Sequence, residues 1–147
     1  ADLLADGLRD EAVGQAASKV SAIPGVRAAL LDFQRDFAKT PPDGKLGAVL
    51  DGRDVGTVVC PDADVKLFIT ASAEERARRR HKELQDGGQN AIYARVLEEM
   101  KERDARDQSR SVAPLKPADD AVIIDTSALD ADAAFEKALE TVRAKRP

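Results

Sequence analysis

Apolar residues recur through most of the chain at the three- and four-residue spacing of amphipathic helices. This spacing predicts helices over residues 9–22, 25–38, 90–110 and about 130–145. A further helix is expected after Ser72, because a serine can cap a helix and Glu75, three residues later, suits the reciprocal position of a capping box. That helix is predicted to end near the Gly87-Gly88 pair.

Short apolar runs lie between these helices and predict strands. They cover residues 47–51, 65–70 and 121–125. The Pro-Pro and Asp-Gly pairs over 39–46 predict a loop before the first of them. Strands rich in Val and Ile that alternate with helices are typical of a parallel sheet. The sequence therefore predicts an α/β fold.

Composition narrows the class of protein. A length of 147 residues fits one domain with a real core, and an apolar share of 43% is typical of globular proteins. The net charge is only −4, which does not indicate the one-sided basic surface of a nucleic-acid-binding protein. A single cysteine, Cys60, excludes an internal disulfide framework and favours a reducing, cytoplasmic environment. The sequence shows no membrane-spanning run and no signal-peptide pattern, and the lone His81 lies beside three arginines, which does not indicate a metal site.

Asp51 and Arg53 mark the end of the first predicted strand. The apolar run stops at Asp51, and a tight Gly52-Arg53-Asp54 turn follows. In open α/β sheets, ligands bind outside the carboxyl ends of the strands, and an arginine can donate two parallel hydrogen bonds to a phosphate there. The alternative is a strand and turn whose charges are simply solvated.

The helix over 90–110 changes character along one face. Its apolar stripe is formed by Ile92, Val96 and Met100. Steps of three and four residues extend this stripe to Arg103, Asp107 and Arg110. Because the burial of unpaired charge costs several kcal/mol, this end of the helix either leaves the core or faces a polyanion, and Asp107 could orient an arginine or bind a base or sugar. The alternative is a set of ion pairs on the helix surface.

Arginines also crowd the helix after Ser72, at Arg76, Arg78, Arg79 and Arg80. With the Gly87-Gly88 hinge they indicate a mobile flap, and the alternative is an ordinary solvated helical hairpin. A strand-end arginine, an Arg-rich flap and an Arg/Asp helix face together suit phosphoryl transfer. In that reaction arginines and Mg²⁺ hold the phosphates, while a closing flap excludes water.

Several long motifs occur in order and at compatible spacing. They are the runs 51–61 (DGRDVGTVVCP), 65–69 (VKLFI), 72–80 (SAEERARRR) and 102–115 (ERDARDQSRSVAPL), with a further run over 8–27 upstream. Together they cover nearly the whole chain and resemble bacterial cytidylate kinase. The resemblance implies a P-loop nucleoside monophosphate kinase fold, in which a parallel sheet is flanked by helices and carries an Arg-rich helical lid.

The resemblance also implies an enzyme that transfers the γ-phosphate of ATP to CMP or dCMP, with Mg²⁺ bound mainly through the nucleotide phosphates. The acceptor phosphate would be bound by Arg27, Arg53 and Arg110. The cytosine and its sugar would be recognised by Ser18, Arg103 and Asp107. Asp51 would bind the sugar or fix Arg53. The transferring phosphate would be reached from the lid by Arg79 and Arg80. The expected catalytic residues are Asp51, Arg53, Arg79 and Arg110.

The same resemblance divides one domain into four segments. Residues 1–38 would hold part of the CMP-binding region and the following core helix, and 39–72 the core strands with the Asp-Gly-Arg-Asp turn. Residues 73–90 would form the lid, and 91–147 the other core helices and the last strand.

A Gly-rich phosphate loop is expected in this family but is missing from the sequence. Family members begin with a strand, a G-x-x-x-x-G-K loop followed by Ser or Thr, and a helix, which cradle the phosphates of ATP. Here Gly44-Lys45 lies in a Pro-rich loop and lacks both the upstream glycine and the hydroxyl residue. We therefore expect the chain to be the C-terminal two thirds of a cytidylate kinase and inactive by itself. The protein is expected to be a monomer if complete, and to associate if truncated, because edges of its parallel sheet would be exposed.

Two other functions stay open from the residues. The first is a catalytically silent fragment that binds a nucleotide or a partner protein, which the missing Gly-rich loop favours. The second is another nucleoside monophosphate kinase, such as one that acts on UMP, because cytosine and uracil differ in donor and acceptor at one ring position.

Overall fold

The computed structural model of the chain describes residues 11–20, 23–108 and 115–145. The chain divides into two compact units, Ala1–Leu50 and Asp51–Pro147. In the described part, the elements of the first unit are α1 (Glu11–Val20), α2 (Pro24–Lys39) and a 3-10 turn at Pro42–Gly44. Those of the second are a π-helical turn at Val55–Val59, β1 (Leu67–Thr70), α3 (Ala73–Asp86), α4 (Tyr93–Gln108), β2 (Val122–Asp125) and α5 (Ala131–Lys145). The finer division into four segments stays a prediction.

Helix α2 begins where its proline places it. Pro24 occupies the start of the helix, where its missing N–H costs no hydrogen bond, and Ile23 before it is extended, with φ −72° and ψ 121°. The helix ends at Lys39, and the N–H of Thr40 donates to the carbonyl of Asp36 at 2.8 Å. The helices predicted over 9–22 and 25–38 are both confirmed.

The strand predicted over 47–51 does not form. The structure has no regular secondary structure there, and Leu46 and Val49 are almost completely exposed. A parallel strand exists only through hydrogen bonds to a neighbouring strand, and none of the described residues pairs with this segment in a sheet. The prediction was wrong because an apolar run shows that a segment suits a strand, but not that a partner lies beside it.

The second unit is built on a parallel sheet. β1 and β2 pair along their whole length, with Leu67 opposite Val122 and Thr70 opposite Asp125. α3 and α4 connect the strands, and α5 packs against β2. Ile124 in β2 is 1% exposed. Among the described residues, the other buried apolar ones are Val59, Ala71, Ala77 and Val96. The other two predicted strands and the α/β class are therefore confirmed.

The segment after Arg53 winds into a single π-helical turn that the sequence did not predict. The carbonyl of Asp54 accepts from the N–H groups of Val58 and Val59 at 2.8 and 3.2 Å. Val59 is buried in the core. The turn is therefore tied to tertiary packing, which a local pattern does not reveal.

The predicted cap at the start of α3 is confirmed for Ser72 but not for Glu75. Ser72 Oγ accepts from the N–H of Glu75 at 3.2 Å, which confirms Ser72 as the cap. The N–H of Ser72 donates to Ser127 Oγ at 2.8 Å, whereas the Glu75 carboxylate accepts from Arg78 and Arg79. The capping-box role predicted for Glu75 is wrong, because charged donors on α3 hold its carboxylate and the loop after β2 satisfies the Ser72 N–H instead.

α3 and α4 pack against each other as a helical hairpin. The ring of His81 lies edge-to-face against Tyr93, with centroids 5.9 Å apart. His81 Nε2 lies 3.0 Å from the carbonyl oxygen of Ala91, and Gly88 supplies the positive φ of 76° that the turn requires. In the part of the chain that the structure describes, no helix has the length and apolar character needed to cross a membrane.

Candidate active site

Both strands end at the same edge of the sheet, and Thr126 joins their ends. Thr126 directly follows β2 and is 4% exposed. Its N–H and its hydroxyl both donate to the carbonyl of Thr70, the last residue of β1, at 2.8 and 3.0 Å. Ligands of open α/β sheets bind at this carboxyl edge, so functional side chains are expected around it.

Arg79 extends from α3 to this edge. Its guanidinium donates to the Thr126 hydroxyl at 3.1 Å, and to the carbonyls of Thr126 and Leu129 at 2.6 and 3.2 Å. Its Nε donates to Glu75 at 3.1 Å. In this structure Arg79 therefore holds the loop after β2, and its role at the transferring phosphate stays a prediction.

Arg76 and Asp104 form an ion pair between α3 and α4 near the same edge. The two terminal nitrogens of Arg76 donate to the two carboxylate oxygens of Asp104 at 3.0 and 2.5 Å. Nε of Arg76 donates to the carbonyl of Ala71, directly after β1, at 3.1 Å. Hydrogen bonding from Arg76 is the main reason why the pKa of Asp104 lies below its usual value, and Asp104 in turn raises the pKa of Arg76.

Asp104 is a residue that the sequence interpretation missed. The predicted stripe runs from Met100 to Arg103, whereas in the structure Met100 and Asp104 are half-buried and Arg103 is exposed. Steps of four residues from Val96 through Met100 lead to Asp104, so the periodicity did contain the signal. The packing of α3 against α4 decides between the two continuations, and the pattern of α4 alone does not show that packing.

Two residues predicted to bind the acceptor nucleotide lie within electrostatic range of Asp104. The positive charges of Arg53 and Arg103 both lower the pKa of this carboxyl group further. Arg103 is its neighbour in α4, and Arg53 comes from the turn after Asp51. Asp51, Arg53 and Arg103 are all exposed. Arg53 and Arg103 therefore both act electrostatically on the Asp104 carboxylate, and their roles at the nucleotide stay predictions.

The other predicted site residues are Arg80, Arg27, Arg110, Ser18 and Asp107. Nη1 of Arg80 lies 2.9 Å from the carboxylate of Glu83, one turn along α3. Arg27 is half-buried on α2 in the first unit. Arg110 lies outside the described residues. Ser18 belongs to α1 and Asp107 to α4, but the side chains of both lie outside the described part.

Within residues 11–20, 23–108 and 115–145, no group of three or more His, Cys, Asp or Glu residues could hold a metal ion.

Comparison with known proteins gives one consistent family. A family model described as cytidylate kinase matches residues 2–144. The cytidylate kinase of Paramagnetospirillum magneticum is 66% identical over 145 residues, which cover 99% of this chain and 68% of that protein. The cytidylate kinase of Methylocella silvestris is 59% identical, and the match covers 92% of this chain and 61% of that protein. The cytidylate kinase of Rhodospirillum rubrum is 57% identical, and the match covers 94% of this chain and 65% of that protein. The chain thus spans about two thirds of the length of these curated relatives.

Proposed function

The chain belongs to the cytidylate kinase family, and from this premise we propose that it carries the acceptor-nucleotide part of a kinase that transfers the γ-phosphate of ATP to CMP or dCMP. The observation that supports the proposal is the pair of arginines that α3 holds at the carboxyl edge of the parallel sheet, where Arg76 donates to the carbonyl of Ala71 after β1 and Arg79 to that of Thr126 after β2. Two cationic side chains at such an edge suit a phosphorylated ligand. Family membership is the reason for proposing CMP or dCMP as this ligand.

Within this proposal the arginines act by position and charge. Phosphoryl transfer asks for little covalent chemistry from the protein, so donors that hold the phosphates in line do most of the work. Arg53, with Arg27 and Arg110, binds the acceptor phosphate. Arg103, with Ser18 and Asp107, binds the cytosine and its sugar, and Asp51 binds the sugar or orients Arg53.

The donor side of the reaction needs a nucleotide with its cation. Mg²⁺, bound mainly through the phosphates of ATP, would neutralise charge on the transferred group. Arg79 and Arg80 serve this side from α3. For Arg79 this requires release of its bonds to the loop after β2, since all three of its nitrogens are engaged in the structure described here.

ATP-dependent phosphorylation of CMP tests the proposal, with dCMP and UMP as comparators and with the protein as its gene encodes it. Turnover of CMP or dCMP supports the proposal, and turnover of UMP alone would replace it with a different acceptor. Arg53→Ala should lower kcat/KM for CMP by about 30- to 1,000-fold, which corresponds to roughly 2–4 kcal/mol. Arg143→Ala removes an exposed arginine from the last turn of α5 and should change kcat/KM less than about twofold. A loss no larger for Arg53→Ala than for Arg143→Ala would remove Arg53 from the phosphate site.

A catalytically silent nucleotide-binding fragment is the second candidate. It is favoured by the contacts of Arg79, whose three side-chain nitrogens all donate to groups of the protein itself in this structure. Titration calorimetry of this chain with CMP and with ATP separates the two functions. Heat of binding with CMP and none with ATP would favour the fragment, and binding of both nucleotides would favour the kinase.

A further inference from the structure

The ion pair between Arg76 and Asp104 joins three elements at one point. Arg76 belongs to α3 and Asp104 to α4, and the Nε of Arg76 binds the carbonyl of Ala71 at the carboxyl end of β1. Three nitrogens of one planar guanidinium are therefore used at once. Lysine offers a single ammonium on a flexible stem and cannot reproduce this geometry.

This contact differs from a second ion pair between the same helices, that of Lys101 with Glu74. The side chains of Arg76 and Asp104 are 33% and 23% exposed, whereas those of Lys101 and Glu74, which also link α4 to α3, are 55% and 57% exposed at 3.3 Å. An exposed single contact contributes little to positioning because water and salt screen it. A bidentate pair that is partly shielded fixes the relative position of two backbones more firmly.

Asp104 lies within the segment of α4 on which the proposed acceptor site depends. Arg103 precedes it, and Asp107 follows it three residues later, so both belong to the helical turns that Asp104 anchors. The charges of Arg53 and Arg103 both act on its carboxylate. Movement of this segment would displace Arg103 and Asp107 relative to the edge of the sheet.

We propose that Arg76 and Asp104 are positioning residues, whose ion pair fixes the C-terminal half of α4 at the carboxyl end of β1 and thereby sets the affinity for the acceptor nucleoside monophosphate. The inference rests on the proposed function, because it assigns Arg103 and Asp107 to that nucleotide. Neither Arg76 nor Asp104 needs to touch the nucleotide for this role.

Steady-state kinetics of Asp104→Asn and Arg76→Lys test the proposal in the protein as its gene encodes it. Each variant should raise KM for CMP about tenfold or more, because a small misplacement of binding groups is costly, and should leave KM for ATP within about twofold. The double variant should be no worse than the more impaired single variant, since both changes break one contact. Glu74→Gln removes the exposed pair between the same helices, and it should leave both KM values within about twofold.

A purely structural role would give a different result. Loss of folded protein lowers kcat in proportion to the lost fraction and leaves both KM values unchanged, and that outcome in Arg76→Lys, the milder variant, would overturn the proposal. Equal increases in KM for CMP and ATP would also overturn it. If the wild type does not phosphorylate CMP, the proposed function fails and this inference fails with it, whereas an active wild type with unchanged variants contradicts the inference alone.

Discussion

Thr126→Val removes the hydroxyl that joins the two strand ends, and it leaves the shape of the side chain nearly unchanged. This hydroxyl donates to the carbonyl of Thr70 at 3.0 Å and accepts from Arg79 at 3.1 Å. Thr126 is buried, so water does not replace either bond in the folded protein. The substitution therefore tests how much this hydroxyl contributes to the free energy of unfolding through its bonds at the carboxyl edge of the sheet.

The size of the effect follows from the partners that remain. A neutral hydrogen bond contributes about 0.5–1.5 kcal/mol and one to a charged group about 1.5–3 kcal/mol. The second value is reduced here, because the Arg79 side chain is 45% exposed and keeps the carbonyls of Thr126 and Leu129 as acceptors. The carbonyl of Thr70 keeps the N–H of Thr126. We expect Thr126→Val to lower the free energy of unfolding by about 1.5–2.5 kcal/mol.

Urea unfolding followed by circular dichroism measures this loss. At a slope of about 2 kcal/mol/M, the midpoint should fall by about 1 M. Thr141→Val is the matched control, because its hydroxyl donates to the Lys137 carbonyl within α5 at 2.9 Å. Such a bond back to the preceding turn adds little, so the control should lose less than about 0.5 kcal/mol. Equal losses in Thr126→Val and Thr141→Val would refute the reasoning.

Two further predictions concern the cap of α3 and the pH dependence of stability. Ser72→Ala removes the acceptor for the Glu75 N–H and should lower the free energy of unfolding by about 1 kcal/mol in the same urea titration. Because Arg76 holds the pKa of Asp104 below its ordinary value of about 3.9, the ionised carboxylate stabilises the fold above that pH, and this contribution is lost as the pH falls through the lowered pKa. The stability difference between wild type and Asp104→Asn should therefore stay constant near neutral pH and shrink below about pH 4, as urea titrations at several pH values will show. A difference that grows towards low pH would contradict the assignment.

The helices were predictable because their signals are local. The turn residues around α2 mark its ends, and the periodicity within it needs no knowledge of the rest of the chain. Ser72 was predictable as a cap for the same reason, since its partner is three residues away. Strands β1 and β2 were predictable as short apolar runs, because each strand supplies the hydrogen-bonding partner that the other needs.

The errors arise where a partner distant in sequence decides the outcome. The 47–51 run lacks a strand to pair with among the described residues. The Glu75 carboxylate binds Arg78 and Arg79, while the Ser72 N–H donates to Ser127, which follows a different strand. At the candidate site, the sequence points to Arg53 and Arg103, whose roles stay predictions, whereas the pairing of Arg76 with Asp104 depends on how two helices pack.

The helical hairpin is held unevenly along its length. At its base, Ser72 and Arg79 bond to the loop after β2, whereas past the middle of α3 the contact with α4 relies on His81 against Tyr93 and Ala91. Opening the hairpin from its tip breaks the ring contact of His81 with Tyr93, the contact of His81 with the Ala91 carbonyl, and the bond from the Tyr93 hydroxyl to the Glu74 carbonyl. Opening it from the base would break several bonds together and detach the two strand ends from α3. Because the bonds at the base act together, we expect the hairpin to open more readily at its tip than at the edge of the sheet.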